Sequence, residues 1–205
     1  MIHQPEFIPW TNLFTKMACC EHYVFLDSVQ FLRRSYQNRN SFKYKNGSYW
    51  LTVPLKKSSR EELIKNICID NNQDWRRSHI SFFQTAYKTA PCYKEVMSLL
   101  KPYYEKSWDN LSDLNCELTK GIAGYIGLKS EFHYSSKMDV ESKKSDRILN
   151  ICKKLKATRY VCGGGSKSYL DEKSFQDNDI EIIYLTPLKI EYQQTYPKLG
   201  FIEGL

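Results

Sequence analysis

The chain has 205 residues, 41% apolar and 26% charged, with 30 basic and 23 acidic side chains and a net charge of +7. That composition excludes intrinsic disorder, and the length suits one domain (residues 1–205) that buries a core without a covalent staple. The excess charge favours a phosphate, nucleotide or nucleic-acid partner. The basic residues nevertheless form only short clusters, such as Arg33-Arg34, Lys56-Lys57, Arg76-Arg77 and Lys143-Lys144, and no arm.

Met1–His3 reads as a short strand closed by Gln4-Pro5, and Pro5 and Pro9 bracket a turn before a helix with Trp10, Leu13, Phe14 and Met17 on one face. Tyr23–Asp27 is an apolar run ending in a carboxylate, the pattern of a buried central strand. Residues 40–44 and 49–55 flank Lys45-Asn46-Gly47-Ser48, and the Asn-Gly pair predicts a hairpin turn. Helical spacing of Trp75, His79, Phe82, Phe83, Ala86 and Tyr87 predicts a helix. A second carries Tyr93, Val96, Met97, Leu100 and Tyr104 behind Pro91. A third starts at Asn110 with Asp113, carries Leu111, Leu114, Leu118, Ile122 and Ile126, and stops at Gly127. These three form a helical segment or insertion over about residues 75–127. Beyond it, strand and helix alternate: Phe132 and Tyr134, then Ile148, Ile151, Cys152 and Leu155, then Arg159–Cys162, a short helix near Glu172–Phe175, and Ile180–Leu185. The expected class is α/β, a mostly parallel sheet with flanking helices, one β-hairpin and the helical segment in the middle.

Seven cysteines at irregular spacings, with no C-x-x-C pair, argue for reduced thiols and against a disulfide framework or zinc ribbon. The start at Met1–Glu6 has no apolar run behind a basic stretch, and no run approaches 18 apolar residues. The expectation is a cytoplasmic chain without a membrane span.

Several blocks together resemble one family. His3-Gln4-Pro5 with Pro9-Trp10 is similar to the HQPxxxPW opening of WbqC-like proteins. The resemblance continues through Phe25–Phe31, Asn38–Asn40, Leu51–Lys56, Trp75–His79, Ala90–Tyr93, Leu111–Asn115, Arg147–Cys152, Tyr160–Gly163 and Tyr169–Asp171, in order along nearly the whole chain. The first strand is shorter than expected for the family. The C-terminus stops at Gly200–Leu205, where relatives usually continue into another apolar segment, so the expectation is either a naturally short member or a truncated chain without the last wall of the site. The resemblance implies bacterial surface-polysaccharide (O-antigen, lipopolysaccharide) synthesis and a transferase of acyl or aminoacyl (glycyl) groups. Its implied partners are an activated amino sugar, nucleotide-linked or lipid-linked, and an acyl or aminoacyl donor. It implies no catalytic residues.

Those come from the residues themselves. His3 ends a strand before a turn, where an imidazole can take a proton from an attacking amine; the competing reading is a histidine tied into the turn. Asp27 is expected to need a partner for its desolvated charge, His3 or Arg39, or else to cap the loop after its strand. These two are the catalytic candidates. Gln4, Trp10, Gln30, Asn38, Arg39 and Asn40 are substrate-binding candidates, with Arg39 suited to a diphosphate; Lys56 and Lys57 read as surface charges. His79 shares a helix face with Trp75 and is either a site residue or a packed core histidine. Gly163, Gly164 and Lys167 form an anion or sugar cradle after a strand, or a plain turn, without Walker or dinucleotide spacing. Cys162 is a candidate acyl carrier against the commoner buried thiol. His22 and His133 have no partner pattern, and without H-E-x-x-H or similar spacing the expectation is no metal and no cofactor. The alternatives to an enzyme are a non-catalytic sugar- or nucleotide-binding module and, ranked last, an RNA-binding protein. The latter would need the aromatic residues to form an exposed stacking face.

Overall fold

A computed structural model describes residues 1–45, 47–187 and 195. The chain divides into two compact units. Residues 1–4, 12–28 and 128–187 belong to the first, and residues 5–11 and 29–127 to the second.

The first unit is the parallel half of a mixed α/β fold. β1 (Ile2–His3), β2 (His22–Phe25) and β5 (Glu131–Tyr134) form a parallel sheet in the order β1-β2-β5. The apolar run read from Tyr23 onward is therefore the central strand, and Tyr23, Val24 and Phe25 are each at most 1% exposed. β6 (Arg159–Gly163) and β7 (Glu181–Leu185) pair in parallel. Parallel strands need crossovers. Helices α1 (Thr11–Met17), α5 (Lys144–Lys154) and α6 (Glu172–Gln176) lie in those connections. The expected inner stripe of α5, Ile148, Ile151 and Cys152, packs with Ile2, Val24, Tyr160, Cys162 and Phe175 in one core.

The second unit holds the antiparallel hairpin β3 (Arg39–Tyr44) and β4 (Gly47–Thr52) with helices α2 (Trp75–Tyr87), α3 (Tyr93–Glu105) and α4 (Leu111–Tyr125). The three helices thus belong to the same compact unit as the hairpin. Helix α4 starts as its sequence dictates: the Asn110 side chain accepts from the Asp113 amide at 3.2 Å, satisfying a first-turn donor. It ends at Tyr125, and Gly127 follows at φ 80°, a conformation that suits glycine. Helix α3 starts at Tyr93, two residues after Pro91, and contains Pro102, three residues before its end. The hairpin turn lies one residue earlier than Asn-Gly predicted. Tyr44 pairs with Gly47 and Lys45 takes φ 52°, so Gly47 serves as a strand residue; Asn46 lies outside the described residues. Phe7, Ile8, Phe42, Leu51, Val53, Trp75, Phe83, Leu100 and Leu111 build this unit's core.

Among the described residues, no helix is long and apolar enough to cross a membrane. The C-terminal segment singled out from the sequence, 200–205, lies outside them.

Candidate functional site

In the first unit the strand order puts His3 and Asp27 at the carboxyl ends of neighbouring parallel strands, where α/β sheets present functional groups. His3 pairs with Phe25, so Asp27 follows two residues beyond that pair. The His3 ring is partly exposed and its Nδ1 lies 2.9 Å from the Gln4 carbonyl. A carbonyl only accepts, so Nδ1 carries the proton and Nε2 of the neutral ring keeps its lone pair. Asp27, 4% exposed, accepts from Ser135 Oγ (2.9 Å), the Ser136 amide (2.8 Å) and Ser136 Oγ (2.6 Å). Among the described residues no hydrogen bond joins Asp27 to His3 or Arg39. The carboxylate instead anchors the 3-10 turn Ser135–Lys137 after β5, and the histidine tautomer is set by its neighbour's backbone.

Gly163 ends β6, and Gly164–Ser168 forms a 3-10 turn. No positive φ occurs at Gly163, Gly164 or Gly165, so the backbone itself does not require glycine there. What glycine leaves is space: a side chain would meet nothing within 4 Å at Gly164 or Gly165, and at Gly163 only Lys16 Nζ, 3.7 Å away. The Lys167 ammonium sits over the Tyr184 ring at 4.8 Å. Cys162 is 4% exposed, and burial raises its thiol above the usual value, against the smaller lowering effects of Ser166 and Lys16. A protonated, enclosed thiol is a poor acyl carrier. A cavity of about 470 Å³ beside β7 carries Glu172, Asp179 and Glu181, a lining that repels phosphate.

A cavity of the second unit has a lining of the opposite charge. A cavity of about 570 Å³ is lined by Arg33, Arg34, Lys56 and Lys57 together with Asn38, Thr52 and Ser58, with no carboxylate among its lining residues. The two basic pairs are 22 positions apart in sequence, and isolated bridges Gln30–Leu63 and Leu55–Ile69 knit the intervening segments. Lys56 and Lys57 are exposed, as expected of surface charges, and they line this wall. Trp50 precedes Thr52 by two residues on β4, with buried Leu51 between them, so Trp50 and the cavity-lining Thr52 share a strand face. Trp50 is 42% exposed, its ring lies 5.8 Å from that of exposed Tyr36, and the Arg39 guanidinium stacks on it at 4.3 Å.

Several polar side chains expected to bind substrate make hydrogen bonds within this unit. Asn40, 2% exposed, donates to the carbonyls of Ile8 (2.6 Å) and Phe7 (3.4 Å). It thereby supports Ile8 at φ 45°, a costly conformation for a β-branched residue. Asn38 donates to the Val53 carbonyl, Gln30 to Arg60 and Arg39 to Arg34. His79 donates through Nε2 to the Thr52 carbonyl at 3.2 Å and accepts at Nδ1 from the Tyr104 hydroxyl at 3.2 Å. Burial pushes its pKa from 6.5 down to about 4, the hydrogen bond to Thr52 opposing only in part. Both nitrogens are engaged, which makes it a core histidine. Gln4 and Trp10 are half-buried.

Sequence reasoning missed the cationic cavity because its parts were visible only as separate clusters. It also missed a group on the sheet of the first unit, His22, Glu131 and His133, whose ligand atoms lie within 4.8 Å of one another. The readable signal was Glu131-x-His133, two residues on one face of a short strand.

The model of the WbqC-like protein family matches residues 4–205. The chain is 31% identical over 185 residues to Rv1507c, an uncharacterized protein of Mycobacterium tuberculosis, an alignment that covers 89% of this chain and 80% of that protein. No solved structure matches the chain.

Proposed function

The chain belongs to the WbqC-like protein family, and from that premise we propose that it is an acyl or aminoacyl transferase acting on a nucleotide-linked amino sugar in bacterial O-antigen-type polysaccharide synthesis. The observation that supports the reading is the cavity of the second unit, whose lining includes four cationic side chains and no carboxylate. Guanidinium groups grip phosphate oxygens through parallel hydrogen bonds, and ammonium groups add charge without directional demand. A diphosphate with two or more negative charges matches such a wall, and the exposed Tyr36 and Trp50 rings offer a base a surface to stack on. A plain sugar would leave the cations without counter-charge.

The acyl-transfer half of the reading rests on the resemblance of the sequence to this family and on His3 in the first unit. The sugar amine attacks the donor's carbonyl carbon. A C–N bond forms as the bond to the leaving group breaks. The proton lost by the amine passes to a general base and then to the leaving group. The test is incubation of the full chain with nucleotide-linked amino sugars and a panel of acyl thioesters and aminoacyl donors, followed by mass spectrometry of the sugar. A sugar heavier by one acyl group supports the reading. Sugar nucleotide bound by the protein but never modified would reduce it to a binding module, and no binding at all would remove the substrate class.

A further inference from the structure

At the amino ends of β2 and β5, the side of the sheet away from His3, three ligand-type side chains converge. His22 opens β2 and pairs in register with Glu131, and His133 follows Glu131 by two residues on β5, so strand alternation brings all three to one face. The separations are short, and the carboxylate faces each imidazole through a different oxygen. His22 Nδ1 lies 3.1 Å from His133 Nε2 and 3.3 Å from Glu131 Oε2, and His133 Nε2 lies 3.7 Å from Glu131 Oε1. A tetrahedral ion with bonds of about 2.1 Å requires ligand atoms about 3.4 Å apart; one atom from each residue lies within 4.8 Å of the others, and rotation of the exposed Glu131 carboxyl would bring one oxygen to both imidazoles. Without an ion, one ring N–H bridges the two imidazoles. Moving that proton to the ring's outer nitrogen frees both facing lone pairs for a metal.

We propose that His22, Glu131 and His133 form a binding site for one divalent cation of the zinc class. Two imidazoles with a carboxylate favour a borderline transition ion over calcium or magnesium, which prefer all-oxygen shells. The side chains are 34%, 67% and 20% exposed in the order His22, Glu131, His133, so an entering ion has a path and its fourth position faces water. Three protein ligands and one open position is the arrangement of reactive zinc sites, whereas structural sites are closed. This assignment is independent of the transferase reading and uses none of its residues.

The experiment titrates Zn2+ alone, by calorimetry, into the chelator-stripped full chain, with Co2+ as a spectroscopic substitute. The expected result is one ion per chain, with visible d–d absorption of nitrogen and oxygen ligation and no sulfur-to-cobalt charge-transfer band. The competing ligands are the exposed thiols of Cys19, Cys68 and Cys92. His133→Gln should weaken binding by at least about 100-fold, beyond the 10–100-fold that losing a supporting residue costs. Glu131→Gln, at a well-exposed position, should weaken it without disturbing the circular dichroism. Cys19→Ser should change nothing. No uptake by the wild-type chain, uptake that survives both His133→Gln and Glu131→Gln, or a sulfur charge-transfer band would each overturn the proposal.

Discussion

In the second unit His79 engages both ring nitrogens, one with Thr52 and one with Tyr104, and lies 3% exposed among aromatic rings. In the first unit, among the described residues, His3 engages Nδ1 alone, through the next residue's carbonyl, and stays partly open to solvent. The two histidines look alike in the sequence, each beside aromatic or turn residues in a family-like block. Their partners separate them: a ring satisfied on both sides contributes structure, and a ring oriented on one side with a lone pair left over is the candidate for moving a proton. The two units differ in the same sense. Asn40, Asn115 and His79 brace the second from within, and its basic side chains line a cavity at the surface. The first presents its reactive groups at strand ends.

The sharpest way to break this contrast is to remove each histidine. His3→Ala should lower kcat for acyl transfer by about 100- to 10,000-fold, the usual share of a general base, and shift the unfolding free energy by less than about 1 kcal/mol. His79→Ala should do the reverse: a loss of about 3 kcal/mol from an emptied core position with Tyr104 and Thr52 left unpaired. A matched pair of stability and turnover measurements reads both. Equal effects on both quantities would abolish the distinction.

A next effect of similar size is pH-dependent. The pKa of His79 is depressed in the folded state, so its neutral form stabilises fully above about pH 6.5. As pH falls from 6.5 towards 4 the unfolded chain takes up a proton that the folded chain refuses, and stability declines by roughly 3 kcal/mol. Urea titrations between pH 7 and pH 4 should show this decline, and it should vanish in His79→Gln. Asp27→Ala should cost about 2–3 kcal/mol, because three donors from Ser135 and Ser136 lose their acceptor. Asn40→Ala should cost about 2 kcal/mol and raise amide exchange around Phe7 and Ile8, whose carbonyls it holds.

Local patterning made much of the fold readable. The Asn110–Asp113 cap, the Leu111-Leu114-Leu118-Ile122 stripe and the apolar run Tyr23–Phe25 each correspond to an observed element, since each depends on neighbours within a turn or a strand. The hairpin was legible but its turn shifted by one residue, because cross-strand pairing of Tyr44 with Gly47 overrode the preference of Asn-Gly for the turn. The site was less legible. Whether Asn40 bonds a ligand or the carbonyls of Phe7 and Ile8 depends on contacts more than 30 positions away. Charge clusters at Arg33-Arg34 and Lys56-Lys57 carry no sign that they will face one cavity. His22 and His133, separated by 111 positions, meet only because β2 and β5 are parallel neighbours.

The smallest effect bears on the central claim most directly: calorimetric titration of a nucleotide-linked amino sugar into the wild-type chain and into an Arg34→Ala, Lys56→Ala double variant, at two salt concentrations. The cavity reading predicts binding by the wild type that weakens with salt, and at least about tenfold weaker binding by the variant, with unchanged unfolding. Equal affinity in both proteins, or no binding by the wild type, would contradict it.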